Sequence, residues 1–173
     1  RSTLFPYTTL FRSKSTKGSM TISGGTVAIK SGKDALQAET DMTLTGGDIQ
    51  ACGDRGLTAG GKITLDGCSL LATATDNPCA NLGTQPQSTL TLAYTKEWAK
   101  NNPVTLTASE KTVFEKNTLK KFRYVIVSAP GLADSVRLWT GGIETQCGGQ
   151  NIFRMNNSYT DVNNTDTAAL LYA

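Results

Sequence analysis

Residues 20–29 read MTISGGTVAI, and nearly the same segment returns at residues 42–51 as MTLTGGDIQA. A third copy, ITLDGCSLLA, occupies residues 63–72, so the first positions of the three copies lie 22 and then 21 residues apart. A fixed period near 20 residues is typical of repeat proteins, in which neighbouring copies stack and bury one continuous core. The fold must therefore be predicted from this repeat.

Within each copy the apolar residues alternate with polar ones, which is the pattern of a β-strand. A helix would need apolar spacings of three and four and would not tolerate paired glycines. The pairs Gly24-Gly25 and Gly46-Gly47 fall where a corner needs positive φ or close backbone approach. With the closing segments at 35–38 and 56–59, each copy holds about three short strands. We predict an all-β chain built as a parallel β-helix of about three rungs.

The first thirteen residues have a different origin in our interpretation. Residues 6–13, PYTTLFRS, resemble the translation of a common short-read sequencing adapter. We interpret residues 1–13 as an artefactual, adapter-derived segment fused to a gene truncated at its N-terminus. Without Arg1 and Arg12 the net charge falls from +3 to +1, because this segment contains no acid. A signal peptide would lie upstream of the truncation and is not observable.

Composition excludes several classes of function. A net charge near +1, with no Lys/Arg cluster among aromatics, gives no electrostatic basis for binding nucleic acid. No apolar run approaches the roughly 18 residues of a membrane-spanning helix. Histidine is absent, which excludes Ser-His-Asp and Cys-His catalytic sites and histidine-ligated zinc.

The four cysteines, Cys52, Cys68, Cys79 and Cys147, form no CxxC pair, so a thiolate zinc site is not expected. Cys52 and Cys68 occupy different positions of the repeat and should not be stacked neighbours. We expect buried free thiols that pack as small apolar residues. A disulfide between Cys68 and Cys79 stays open as an alternative.

We assign the repeats to residues 14–87, with a connecting loop over residues 81–88. The period is then lost, and residues 88–142 are predicted to form antiparallel hairpins that cap the open end of the repeats. Residues 143–173 are an Asn/Thr-rich tail of unclear structure with one possible short strand at 168–172. The strands predicted in the cap span residues 89–94, 103–107, 121–128 and 135–140.

The repeats, together with FRYVIVSAPGL at 122–132 and VRLWTGG at 136–142, resemble the bacterial extracellular carbohydrate-binding domain proteins over about residues 15–142. The resemblance implies a right-handed parallel β-helix similar to the pectate-lyase scaffold. It also implies non-catalytic binding of plant cell-wall polysaccharide, including acidic sugars. Calcium ions held at turns by carboxylates are a further implication.

Calcium binds six to eight oxygen atoms, usually from several carboxylates and carbonyls. The acids in the turns are the candidates, and the metal ligands we predict are Asp34, Asp41 and Asp54, with Glu39 and Asp66 as further turn acids. Rungs of the family often carry two consecutive acids before the Ala-Leu-x-Ala strand. Here the first repeat keeps only the second acid and the second repeat only the first, so the two are out of register. Aspartate also favours turns for local reasons, which is the competing interpretation.

Residues 14–83 contain no Phe, Trp or Tyr, so any sugar site on the repeats must use polar and charged contacts. Trp98, among charged neighbours, is the aromatic we expect to be exposed, whereas Trp139 is expected to pack inside the cap. The cations that would meet uronate carboxylates are Lys30, Lys33, Arg55 and Lys62. Solvated lysines on a strand face are the competing interpretation for these positions.

The sequence thus predicts a secreted or cell-surface protein that binds polysaccharide such as polygalacturonate or cellulose, with calcium as the candidate cofactor and no catalytic residues. No nucleic-acid partner and no membrane span are expected. One alternative is a structural or adhesive surface protein whose repeats are a spacer. Another is a calcium-dependent polysaccharide lyase, for which Lys33 near Asp34 and Asp54 is the only place to look for a base.

Overall fold

A computed structural model describes residues 8–10, 13–76 and 82–163, and every regular element in these ranges is a β-strand. The strands up to the end of the repeats are β1 Thr8–Leu10, β2 Ser13–Lys14, β3 Met20–Lys30, β4 Asp34–Ala38, β5 Met42–Gly53, β6 Arg55–Ala59, β7 Ile63–Leu65 and β8 Ser69–Ala74. The strands that follow are β9 Thr89–Trp98, β10 Pro103–Ala108, β11 Lys111–Asn117, β12 Phe122–Ser128, β13 Ser135–Thr140, β14 Ile143–Glu144, β15 Phe153–Arg154 and β16 Asn157–Val162.

Equivalent positions of the three copies lie side by side in parallel strands. Met20 of β3 is opposite Met42 of β5, which in turn is opposite Ile63 of β7. The short strands β2, β4 and β6 form a second parallel sheet in which Leu36 is opposite Leu57. This register places like apolar side chains next to each other and builds a first core. Its fully buried members include Ile29, Leu36, Met42, Leu44, Ile49, Ile63, Leu65 and Leu70.

The glycine pairs let one long strand serve where we predicted two short ones. In β3 both Ile22 and Val27 are buried, although they are five residues apart and would face opposite sides of a regular strand. Gly25 adopts a φ of 85°, and the pairing with β5 is irregular on either side of Ser23. At the glycines the alternation therefore shifts by one residue, so that side chains of the other parity point into the core, as at a β-bulge. Each of the first two repeats holds two strands, not three.

The predicted right-handed parallel β-helix with an antiparallel hairpin cap is wrong as a description of the fold. The largest sheet has the order β1-β3-β5-β8-β12-β9-β16 with β7 on β5, and β12 runs antiparallel to both β8 and β9. A separate sheet, β11-β10-β13-β14 with β15 on β13, is antiparallel throughout. The physical reason lies at the last repeat. The backbone groups on the free edge of β8 pair with β12, whose sequence does not carry the repeat. The sheet of the repeats therefore continues as a mixed sheet.

Strands β8 and β12 are buried on both faces and form the wall between two cores. Leu70 and Ile126 belong to the first core, whereas Leu71 and Val125 belong to the second. Apart from Ser69 in β8 and Arg123 and Tyr124 in β12, the residues of both strands are buried, and both strands read as nearly continuous apolar runs. The second core also contains Leu90, Leu92, Tyr94, Val104, Leu106, Phe122, Val136, Leu138 and Phe153.

Outside the repeats the local predictions fare unevenly. The strand at residues 135–140 is confirmed, and the other three predicted strands are present with shifted ends. Strands β11, β14, β15 and β16 were not predicted. Residues 77–81 with Cys79, the possible strand at 168–172 and most of the adapter-like segment lie outside the described residues. The adapter origin and the proposed domain boundaries remain predictions.

Replacing Gly46 by Ala should lower the free energy of unfolding by about 1–3 kcal/mol, as overpacking does. A Cβ at Gly46 would lie 2.6 Å from the carbonyl oxygen of Ser23 in the preceding repeat. Urea unfolding followed by circular dichroism measures the loss. Gly24→Ala is the matched control, because its Cβ would meet nothing within 4 Å. Equal losses in the two variants would contradict the stacking of the second repeat on the first.

Candidate functional site

Four of the predicted site residues lie together where the chain turns from the long strands β3 and β5 to the short strands β4 and β6. We call Lys33, Asp34, Asp54 and Arg55 the charged corner. The backbone N–H of Asp54 donates to the carbonyl of Lys33 at 2.8 Å, and Asp34 is opposite Arg55 in the register of β4 and β6. The mismatch of acids noted in the sequence has a consequence here. It places the acid of one repeat against the cation of the next.

Asp34 and Arg55 form a two-pronged ion pair. Nε of Arg55 donates to Oδ1 of Asp34 at 2.7 Å, and Nη2 donates to Oδ2 at 2.9 Å. The Asp34 side chain is only 7% exposed, whereas that of Arg55 is 51% exposed. Both carboxylate oxygens of Asp34 are therefore satisfied inside the protein, and its charge is neutralised by a partner that shields it from solvent.

Asp54 is neutralised by a residue from the second half of the chain. Nζ of Lys120 lies 3.1 Å from Oδ1 of Asp54 and donates to the carbonyl of Ser31 at 2.6 Å. Lys120 lies between β11 and β12, so this contact ties the antiparallel part of the chain to the repeats. Neighbouring contacts reinforce the tie, since Lys116 pairs with Asp48.

Lys33 in the charged corner and Lys30 beside it differ from the acids, which are paired. Lys30, at the end of β3, and Lys33 are both exposed, and within residues 13–76 and 82–163 their ammonium groups have no ion-pair or hydrogen-bond partner. Asp76, the next exposed acid, donates its backbone N–H to the carbonyl of Asp54 and so lies at the third-repeat end. The excess positive charge therefore sits at the first-repeat end of the corner.

Asp41 and Lys62 lie at the opposite ends of β4 and β6 and are separate from the charged corner. Oδ1 of Asp41 accepts the backbone N–H of Lys62 at 2.8 Å, and both residues are exposed. This is the local turn-stabilising role that aspartate commonly has. The structure thus splits the eight predicted residues between separate places.

The residues present do not fit a calcium site. Among the described residues no group of three or more His, Cys, Asp or Glu side chains is placed to hold a metal ion. The carboxylates of Asp34 and Asp54 are already paired with cations, so they are poor donors for a hard cation that needs several free oxygens.

The two buried cysteines of the repeats offer no soft ligands either. Cys52 and Cys68 are buried free thiols. Burial raises the pKa of Cys52, and it raises the pKa of Cys68 to about 11. Both thiols are therefore protonated at neutral pH, whereas thiolate is the form that binds metals and attacks electrophiles.

Trp98 is half-buried and belongs to the edge of the second core. Its ring meets that of Tyr94 edge-on, with the centroids 6.1 Å apart. Burial raises the pKa of Tyr94 to about 12, and its hydroxyl lies 2.7 Å from Oγ1 of Thr140. Trp98 also lines a cavity of about 160 Å³ with Lys96 and Asn163. It is less accessible than predicted, because one side of the ring packs on Tyr94.

Sequence reasoning missed Trp139 as a surface residue. In β13 the residues Val136 and Leu138 are buried, while Ser135 and Arg137 are exposed and Trp139 is half-buried on their side. The strict alternation of SVRLWT already places the tryptophan with the polar residues. The signal was present and was outweighed by the general tendency of tryptophan to pack inside.

Replacing Arg55 by Met should lower the free energy of unfolding by about 1–3 kcal/mol, because Asp34 would lose two charged donors while remaining buried. Arg137→Met is the matched control. Arg137 is 50% exposed, close to the 51% of Arg55, but its partner Glu144 is 27% exposed and lies 3.3 Å away. Such an open pair is worth under about 1 kcal/mol. Chemical unfolding of both variants provides the measurement, and an equal or smaller loss for Arg55→Met would contradict the structural role of the pair.

Comparison with known proteins adds the family. The family described as carbohydrate-binding domain-containing protein matches residues 11–119. Neither a curated protein nor a solved structure matches the chain. In the ranges that the structure describes, no helix is long and apolar enough to cross a membrane. Because the match covers more than half of the 173 residues, the chain belongs to the carbohydrate-binding domain-containing protein family.

Proposed function

We propose that the protein binds acidic plant cell-wall polysaccharide, of the polygalacturonate class, without cleaving it. The observation that carries the proposal is the unbalanced positive charge of Lys30 and Lys33 beside the charged corner. These two ammonium groups are exposed and lack an acidic partner in the described ranges. Both lie within the span matched by the family.

The neighbouring acids do not cancel this charge. Asp34 is paired with Arg55, and Asp54 with Lys120, so each acid has its own cation. A carboxylated polymer that approaches the first-repeat end therefore meets two lysines whose charge is not compensated locally. Charged hydrogen bonds between ammonium and carboxylate groups are the contacts expected there.

The other predicted sugar-binding residues contribute less to the proposed binding. Arg55 uses Nε and Nη2 on Asp34, so Nη1 is the nitrogen not engaged with that carboxylate. Lys62 lies at the other end of β4 and β6, next to Asp41, and would contact a different part of a long polymer. Trp98 offers only part of its ring, through the small cavity that it lines.

A binding role is favoured over a lyase by the chemistry of the same residues. A lyase needs a group that acidifies the α-proton of a uronate and a base beside it. Lys33 is the one candidate base, and the carboxylates near it are both engaged by cations. A plant cell-wall ligand would also require the protein to act outside the cell that makes it, in keeping with the predicted secretion.

Replacing both Lys30 and Lys33 by Gln should weaken binding to polygalacturonate about fivefold, equivalent to ~1 kcal/mol, because two exposed charge contacts are lost. Affinity electrophoresis or calorimetry against the soluble polymer measures the change. Binding to a neutral glucan should stay the same in the variant. Lys100→Gln, in the turn between β9 and β10, removes an exposed lysine elsewhere and is the control.

Three outcomes would decide against parts of the proposal. Undiminished binding of polygalacturonate by the double variant would remove the lysines from the site. Failure of the unaltered protein to bind either polymer would favour the structural spacer. A rise in ultraviolet absorbance from unsaturated uronate product would establish the lyase instead.

A further inference from the structure

The outer face of the five-stranded antiparallel sheet carries a groove whose lining residues lie mostly beyond the family match, which ends at residue 119. The inner face of β13 supplies Val136 and Leu138 to the second core. The outer face carries Ser135, Arg137 and Trp139 on the same strand. Trp139 is opposite Thr105 of β10 on one side and Glu144 of β14 on the other. A flat indole thus lies among hydroxyl and charged groups in the middle of an outward sheet face.

Two cavities join along this face. One has a volume of about 380 Å³, and Trp139 and Glu110 are among the residues that line it. The other, of about 640 Å³, is bounded by Arg154 and Tyr159. Both are lined by Ser135 and by Ile152, whose side chain is 48% exposed although it is a large hydrophobic residue. Together they form one groove with an aromatic residue at each end, and each volume is within the range of ligand sites.

The two cavities of the groove carry side chains of opposite charge. At one end, Glu110 brings a carboxylate that can accept hydrogen bonds from hydroxyl groups. At the other end, Arg154 is exposed, and within the described ranges its guanidinium has no ion-pair partner. Its backbone N–H donates to the hydroxyl of Tyr159 at 2.9 Å. Tyr159 is in turn held edge-on against Phe153, with centroids 5.0 Å apart. The Arg137 charge is balanced by Glu144, so Arg154 provides the uncompensated cation.

We propose that this groove is a second polysaccharide-binding site, which takes a short stretch of an acidic sugar chain. The apolar faces of sugar rings stack on Trp139 and pack against Ile152, as aromatic platforms do for amphipathic rings. A uronate carboxylate accepts hydrogen bonds from the Arg154 guanidinium, a planar donor suited to that group. Sugar hydroxyls meet Glu110 at the far end. The ligand class rests on the proposed function, whereas the location rests on the groove itself.

Fluorescence separates this site from the other places where sugar could bind, because the chain has only two tryptophans. Trp98→Phe leaves Trp139 as the reporter, and Trp139→Phe leaves Trp98. We expect short galacturonic acid oligomers to change the emission of Trp98→Phe in a saturable way and to leave that of Trp139→Phe nearly unchanged. Neutral cellotetraose should produce a weaker response, because it lacks the carboxylate that Arg154 binds.

A charge variant provides the second measurement, which needs no tryptophan replaced. Arg154→Gln should weaken the fluorescence-detected affinity about fivefold to tenfold while the emission maximum of the free protein stays the same. Lys100→Gln, an equal change of charge outside the groove, should have no effect. Unaltered emission of Trp98→Phe at oligomer concentrations that saturate the intact protein, or equal affinities of Arg154→Gln and Lys100→Gln, would overturn the groove site while leaving polysaccharide binding intact. Absence of any binding by the intact protein would overturn the proposed function as well.

Discussion

The antiparallel pairing of β8 with β12 is the contact on which the rest of the structure depends. Ile126 lies opposite Ala72 there, and Val127 opposite Leu71. Most residues of both strands are buried on their two faces, so the ladder between them has a core on either side. The pairing satisfies the backbone of the last repeat, whose edge would otherwise be open to other chains. It also fixes the second half of the chain relative to the first.

Internal charge balance follows from that fixed arrangement. The parallel register that stacks apolar residues also sets Asp34 against Arg55, and the position of β12 brings Lys120 to Asp54. The acids that the sequence offers for a metal are thereby used to hold the protein together. Near these acids, what remains available to a ligand is the opposite charge, at Lys30 and Lys33. The preference proposed for acidic polymers is thus a by-product of how the repeats are stabilised.

The sequence predicted those features that depend on local pattern. The 21–22-residue spacing correctly anticipated that Met20, Met42 and Ile63 lie side by side, and alternation located most later strands. The all-β class was correct, but the parallel β-helix architecture was wrong, because no local signal tells which strand will cover the edge of β8. Long-range polar contacts could not be predicted from local pattern either. Gln85, in a segment predicted as a plain loop, accepts the N–H of Leu65 and donates to the carbonyl of Ile63 with its side-chain amide, and so serves as a partner for the edge of β7. Trp139, by contrast, could have been placed correctly from alternation alone.

Mapping of amide chemical shifts in isotope-labelled protein, during titration with galacturonic acid oligomers, tests the central claim most directly. That claim is that acidic sugar binds where cations are left uncompensated. The shifts should concentrate at residues 30–34 beside the charged corner and along residues 135–139 and 150–154 of the groove. The turn that holds Asp41 and Lys62 should respond little, because its acid and its cation are adjacent. Shifts confined to that turn, or no shifts at saturating oligomer, would contradict the claim.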